Sequence, residues 1–168
     1  VFIRLRGGLG DITLSAVSVA DGGCGDQSVE VQAGVSMALL LAWCLRQGLS
    51  GLEFMAGIPG TVGGAIAMNA GAYGGNMGDR LTAVQFLDWQ GDAMQVPATA
   101  LHFQYRKTTL PPECCREQCL ITGATLSLQP APAERIKEGM RNVLAQRKAK
   151  HPAGVASAGS ADACGCSG

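Results

Sequence analysis

Residues 51–75 constrain this chain more than any other stretch. Eight of them are glycine, Pro59 is proline, and Glu53 is the only carboxylate. Gly and Pro interrupt the run too often for a simple core helix. It is also too apolar and continuous for a disordered linker. Glycine lacks Cβ and lets backbone N–H groups approach a ligand, and several pointing one way form a nest for an anion. Gly57-Ile58-Pro59-Gly60 followed by Thr61-Val62-Gly63-Gly64 predicts a tight loop entering a short helix. Thr61 would cap that helix, leaving free N–H groups suited to a phosphate. A glycine-rich turn packed against a sheet explains the same residues equally well. No Gly-Lys-Ser/Thr follows and no GxGxxG turn is present, so neither a P-loop nor a Rossmann turn is indicated. Asn69 and Tyr73, set among Gly71, Gly74 and Gly75, add hydrogen-bond donors for a heterocycle or a sugar.

The flanking chain reads as mixed α and β. Strand signals occupy residues 1–5, 12–19 and 29–33, the last with Val29, Val31 and Ala33 alternating against Glu30 and Gln32. Val35, Ala38, Leu39, Ala42 and Leu45 then recur at helical spacing. Ser36 is a plausible cap for that helix and Gly48 its stop. Residues 81–89 form an interior strand, 90–92 a turn and 93–96 the return. Residues 99–106 are polar and aromatic, and Pro111-Pro112 breaks the chain. A further strand covers 119–128, and Pro130 opens a basic amphipathic helix carrying Glu134, Lys137, Arg141, Arg147, Lys148 and Lys150 on exposed positions.

Composition excludes several partners. In 168 residues, 47% apolar and 15% charged, thirteen basic side chains balance thirteen acidic ones. Recognition of nucleic acid or an anionic membrane by bulk charge is therefore not expected. No window reaches the ~18 consecutive apolar residues of a membrane span. The N-terminus has no basic n-region and reads as a chain cut from a longer one rather than as a signal peptide. Seven cysteines (Cys24, Cys44, Cys114, Cys115, Cys119, Cys164 and Cys166) form no CxxC pair or regular framework, which favours reduced, cytosolic thiols. Cys114, Cys115 and Cys119 with His151 lack the spacing of a zinc site, so no metal is expected.

The run from Glu53 to Gly74 resembles the signature of the UDP-N-acetylenolpyruvoylglucosamine reductases, flavin-dependent UDP-N-acetylmuramate dehydrogenases of peptidoglycan synthesis. Three further pieces follow the family's order. Residues 1–5 are like the strand after its first flavin loop. Phe103-Gln104-Tyr105-Arg106 is like its Phe-x-Tyr-Arg element, and Ser157-Ala158-Gly159-Ser160 is like its Ser-Ala-Gly-Ser element.

The resemblance implies an α+β fold of the vanillyl-alcohol-oxidase (PCMH) type. Residues 1–128 would be part of its FAD-binding subdomain, and 129–168 a connecting helix and the start of a substrate domain. It implies FAD and NADPH as cofactors, UDP-N-acetylenolpyruvoylglucosamine as substrate and a cytoplasmic location. Cofactor contacts would come from Gly57, Ile58, Pro59, Gly60, Thr61, Gly63, Gly64, Asn69, Gly71 and Tyr73. Tyr105 and Arg106 would bind substrate. Arg106 would also stabilise an enolate-like intermediate, and Ser160 would donate the proton. The oligomeric state is not implied.

Some features depart from the family pattern. The first flavin pyrophosphate loop would lie before Val1, and the catalytic glutamate beyond Gly168. After Ser160 the family continues with an aromatic and Lys-Asn-Pro, where this chain has Ala161-Asp162-Ala163-Cys164-Gly165-Cys166. Thr108 stands at the family's usual serine. The expectation is a fragment of the reductase that holds FAD weakly or not at all and does not turn over alone. The rival readings are a non-catalytic flavin- or nucleotide-binding module, a degenerate fragment, and a purely structural α+β domain.

Overall fold

The computed structural model describes residues 11–15, 25–88, 90–109 and 119–150. In chain order, β1 is Ile12–Ser15, β2 Gln27–Gln32, α1 Met37–Gln47 and β3 Leu49–Ser50. A 3₁₀ turn at Glu53–Met55 precedes α2, Val62–Ala67. Then come β4 (Gly71–Ala72), β5 (Gly75–Asn76), β6 (Leu81–Leu87) and β7 (Ala93–Pro97). The chain continues with β8 (His102–Gln104), β9 (Lys107–Thr109), β10 (Leu120–Pro130) and α3 (Ala133–Lys150).

The main sheet runs β1-β2-β10-β6-β7, and β3 pairs with the far end of β10. Every pairing is antiparallel. Period-2 patterning dictates which face is covered. Val29 and Val31 stand opposite Leu126 and Ala124, and Ala124 stands opposite Val84. These side chains share one core with Phe86, with Met37, Leu40 and Cys44 of α1, and with Val62 and Ile66 of α2. Glu30, Thr125 and Ser127 alternate with them, and Ser127 donates to the Asp26 carboxylate at 2.8 Å. Such an apolar-in, polar-out alternation suits an antiparallel sheet covered on one face.

The helix signals translate directly into structure. Ser36 Oγ accepts from the Leu39 N–H at 3.2 Å, and Gly48 ends α1 with φ 68°. The turn after β6 closes when Asp88 Oδ1 accepts from the Asp92 N–H at 2.8 Å.

Two expectations change, and one stretch without a predicted element gains one. Pro130 does not open α3: it is the last residue of β10, paired with Leu49, and the helix begins at Ala133. The short strand β3 captures Gln129 and Pro130, and the Ala131 N–H then donates to Gly48 O at 2.8 Å. Residues 99–106, for which no element is read from the sequence, supply a 3₁₀ turn, β8 and a tight turn into β9. Cys119 is disulfide-bonded, against the expectation of reduced thiols, whereas Cys44 is a free, buried thiol. The strand expected at 1–5 and the Pro111-Pro112 break lie outside the described residues, as do Cys24, Cys114, Cys115, His151, Ser160, Cys164 and Cys166. No helix among the described residues is long and apolar enough to cross a membrane.

Candidate functional site

The glycine stretch divides into two structural parts separated by α2. Ahead of the helix, residues 57–64 form an exposed loop strapped to the segment 33–37. The Val62 N–H donates to Val35 O, the Gly63 N–H to Ala33 O and the Met37 N–H to Gly60 O, at 2.9, 2.9 and 3.0 Å. Thr61 caps α2 as expected, its Oγ1 accepting from the Gly64 N–H at 3.4 Å. The N–H groups of Val62, Gly63 and Gly64 are thus engaged within the protein, which matches the packed glycine-rich turn rather than the phosphate nest, the two readings the residues allow equally.

Close packing explains two of the glycines here. A Cβ on Gly63 would lie 2.9 Å from Ala33 Cβ, and one on Gly57, at φ 77°, would lie 2.9 Å from Leu144 Cδ2 of α3. Gly60, at φ 124°, has open space where a Cβ would stand. Gly57, Pro59, Gly60, Thr61 and Gly64 are exposed, and Ile58 is half-buried. What this loop offers a ligand is exposed backbone, including the N–H groups of Gly57, Gly60 and Thr61, which donate to no described group.

Beyond α2, about 9 Å along its axis from the rise of six residues, lies a cleft of about 530 Å³. Its lining brings together Asn69, Gly71, Tyr73, Tyr105 and Arg106, five residues singled out in the sequence, together with Phe103. Two hairpins form the walls. In β4–β5 the two turn residues are Tyr73 (φ 52°) and Gly74 (φ 85°), the pattern of a type I′ turn. In β8–β9 the turn is Tyr105-Arg106, and only Arg106 has positive φ, 57°. That is the φ pattern of a type II turn, which ordinarily places Gly or Asn there.

Asn69 is the third left-handed residue, at φ 38°. Its N–H donates to Ile66 O and the Ala70 N–H to Ala65 O, at 3.0 and 2.7 Å. This is a Schellman ending of α2, with Asn in the position usually held by glycine. Asn69, Tyr73 and Arg106 are all the non-glycine residues with positive φ among the described residues, and all three line the cleft. Non-glycine residues held in this region cost about 1–3 kcal/mol each and cluster at functional sites.

Arg106 and Tyr105 are both exposed, and the guanidinium carbon sits 5.5 Å from the tyrosine ring centroid. A cation poised on an aromatic face at the cleft rim can pair with a carboxylate or phosphate on an entering ligand. Phe103 was not singled out as a site residue in its own right. Its ring lies against Gly78, where a Cβ would be 2.7 Å from Cγ.

A family model described as an FAD-binding domain matches residues 12–96. The chain belongs to this FAD-binding domain family. Its α+β fold is that of the FAD-binding subdomain of the vanillyl-alcohol-oxidase type. The chain is 38% identical over 160 residues to a UDP-N-acetylenolpyruvoylglucosamine reductase of Syntrophus aciditrophicus, covering 95% of this chain and 48% of the relative. It is 37% identical to the Clostridioides difficile reductase, over 80% of this chain and 43% of that protein. The crystal structure of the Thermus caldophilus reductase superposes with a TM-score of 0.64 at 38% identity, covering 73% of this chain and 44% of that one. The chain therefore spans about half the length of the relatives it matches.

The residues present fit a flavin dinucleotide as far as they reach. A glycine-walled cleft with a phenol and a guanidinium at its rim, and an exposed loop with bare backbone at Gly60, offer hydrogen-bonding backbone and side-chain groups beside aromatic faces. A cofactor with a heterocycle and phosphates uses both kinds of contact.

Proposed function

We propose that this chain supplies the FAD-binding portion of a reductase that converts UDP-N-acetylenolpyruvoylglucosamine to UDP-N-acetylmuramate with electrons from NADPH, in the cytoplasm. The observation that carries the reading is the gathering of Tyr73, Tyr105 and Arg106 around one cleft, in a chain similar over 95% of its length to a reductase of that name. When bound, FAD supplies the hydride that adds to the enolpyruvyl double bond.

The chain's own residues bind and orient. Gly71 and Tyr73 form the wall nearest the cofactor, and the 57–64 loop presents its exposed backbone to it. Tyr105 and Arg106 meet the substrate from the opposite hairpin. As hydride adds to one alkene carbon, negative charge builds on the adjacent carbon and its carboxylate, and the Arg106 guanidinium stabilises it. Ser160, outside the described residues, delivers the proton that completes the reduction. Residues 129–168 are assigned as the connection into a substrate domain.

The test is a hybrid in which this chain replaces the matching half of the Thermus caldophilus reductase. It is assayed for NADPH oxidation dependent on the enolpyruvyl substrate. Turnover is expected, and Arg106→Ala should lower it roughly 10²–10³-fold, the usual cost of losing a group that stabilises developing negative charge. A hybrid that binds one flavin per chain but turns nothing over would mark the chain as a flavin-binding module instead.

A further inference from the structure

The hairpin β8–β9 carries both proposed substrate contacts, yet it pairs with no other strand among the described residues. A two-stranded hairpin is marginal by itself in water. The orientation of Arg106 therefore depends on what anchors the hairpin to the rest of the fold. Among the described residues, three contacts contribute. Phe103 lies on Gly78. Thr108 Oγ1 donates to Ile66 O, on the last turn of α2. Asn69 Nδ2 donates to Gln104 O at 3.2 Å, while Asn69 Oδ1 accepts from the Gly78 N–H at 3.0 Å.

The Asn69 contact has a special place. Gln104 is the residue before the Tyr105-Arg106 turn, so holding its carbonyl holds the turn. Gly78 is the residue on which Phe103 rests. One amide thus ties together the two sides of the joint. Its orientation is dictated by its partners, since only Oδ1 can accept from an N–H and only Nδ2 can donate to a carbonyl. The position also demands tolerance of a left-handed backbone, which asparagine has and most side chains lack.

We propose that Asn69 is a positioning residue for the substrate-binding turn, with Thr108 as its auxiliary, rather than a cofactor contact. Its amide links Gln104 to Gly78 through one donor and one acceptor, and through them it sets where Arg106 stands over the cleft. The consequence for turnover rests on the reading of Tyr105 and Arg106 given above; the clamp itself does not.

Asn69→Asp separates the two bonds. Aspartate keeps the backbone tolerance and can still accept from Gly78, but opposes the Gln104 carbonyl with negative charge. Hydrogen exchange on the full chain, followed by mass spectrometry, should show residues 104–107 exchanging about tenfold faster in Asn69→Asp, the effect of losing one hydrogen bond. Residues 124–126 of the central strand should be unchanged. Thr108→Val should act in the same direction, and Thr108→Ser, which keeps the hydroxyl, should restore the parental rate. Unchanged exchange at 104–107, or equal acceleration at 124–126, would overturn the clamp.

In the hybrid, Asn69→Asp should raise KM for UDP-N-acetylenolpyruvoylglucosamine about tenfold, with bound flavin per chain unaltered. Loss of flavin at constant KM would return Asn69 to the cofactor site and sink the proposal. An Arg106→Ala hybrid with parental turnover would instead refute the functional reading, leaving the exchange result to stand.

Discussion

Arg106 holds a left-handed backbone although nothing about its side chain favours it. Arginine at the second turn position is strained by about 1–3 kcal/mol, and its cation–π contact with an exposed Tyr105 returns only ~0.5–1 kcal/mol. A local rule is broken at the position proposed to meet substrate, as expected where function has been placed above stability. Arg106→Gly should accordingly raise the stability of the isolated chain by about 1 kcal/mol while abolishing turnover in the hybrid. Urea denaturation and the NADPH assay read the two effects, and a destabilised Arg106→Gly variant would remove the strain argument. The roles proposed for Tyr105 and Arg106 are suggested in the sequence only by the Phe-x-Tyr-Arg resemblance. Without it, Arg106 reads as a surface ion-pair residue.

At the scale of elements, α1 was legible because its stop signals are local. Ser36 caps within three residues and Gly48 needs only its own φ. The β8–β9 hairpin was not, because turn chemistry is read from Gly and Asn, and Tyr105-Arg106 contains neither. Pro130 was misread as a helix start because its strand partner, Leu49, lies 81 residues earlier by subtraction of their numbers.

The glycine loop shows a similar split. Its shape follows from glycine, but what presses on it comes from α3, whose Leu144 lies where a Gly57 Cβ would point and whose Gly139 admits Glu53. Gly57→Ala should therefore cost about 2 kcal/mol from positive φ and overpacking together. Adding Leu144→Ala should recover only the steric part. Full recovery in the double variant, measured by denaturant midpoint, would show that the backbone conformation at Gly57 carries no strain.

At the scale of the whole molecule, one buried group sets a pH limit. Cys44 sits fully inside the core, and burial, reinforced by the Glu53 carboxylate, pushes its thiol from 9.0 up to about 12. In the unfolded chain the thiol ionises near its ordinary value, so above pH 9 the unfolded state holds fewer protons than the native one. Stability then falls as pH rises. The contribution is intact below pH 9 and is lost progressively between pH 9 and 12. Cys44→Ala should flatten the fall of the urea midpoint between pH 8 and 11, at some cost in packing at every pH. An equally steep fall in that variant would assign the alkaline loss to other groups. The same shift predicts that native Cys44 resists alkylation at pH 8 roughly a thousandfold relative to an ordinary thiol, read by mass spectrometry of its peptide.

Sequence by itself determined the local features: the period-2 strands, the capped helix α1, the Thr61 cap on α2 and the family to which the glycine stretch points. Each is carried by residues a few positions apart, within reach of backbone sterics and side-chain caps. Tertiary structure decided the rest. It placed β10 between β2 and β6, closed the α2 N–H groups against residues 33–35 and set Arg106 across the cleft from Tyr73. Those outcomes depend on pairings between residues tens of positions apart. The stretch that reads equally as a phosphate nest or a packed glycine-rich turn thus folds into a strapped loop at one end and a cleft wall at the other.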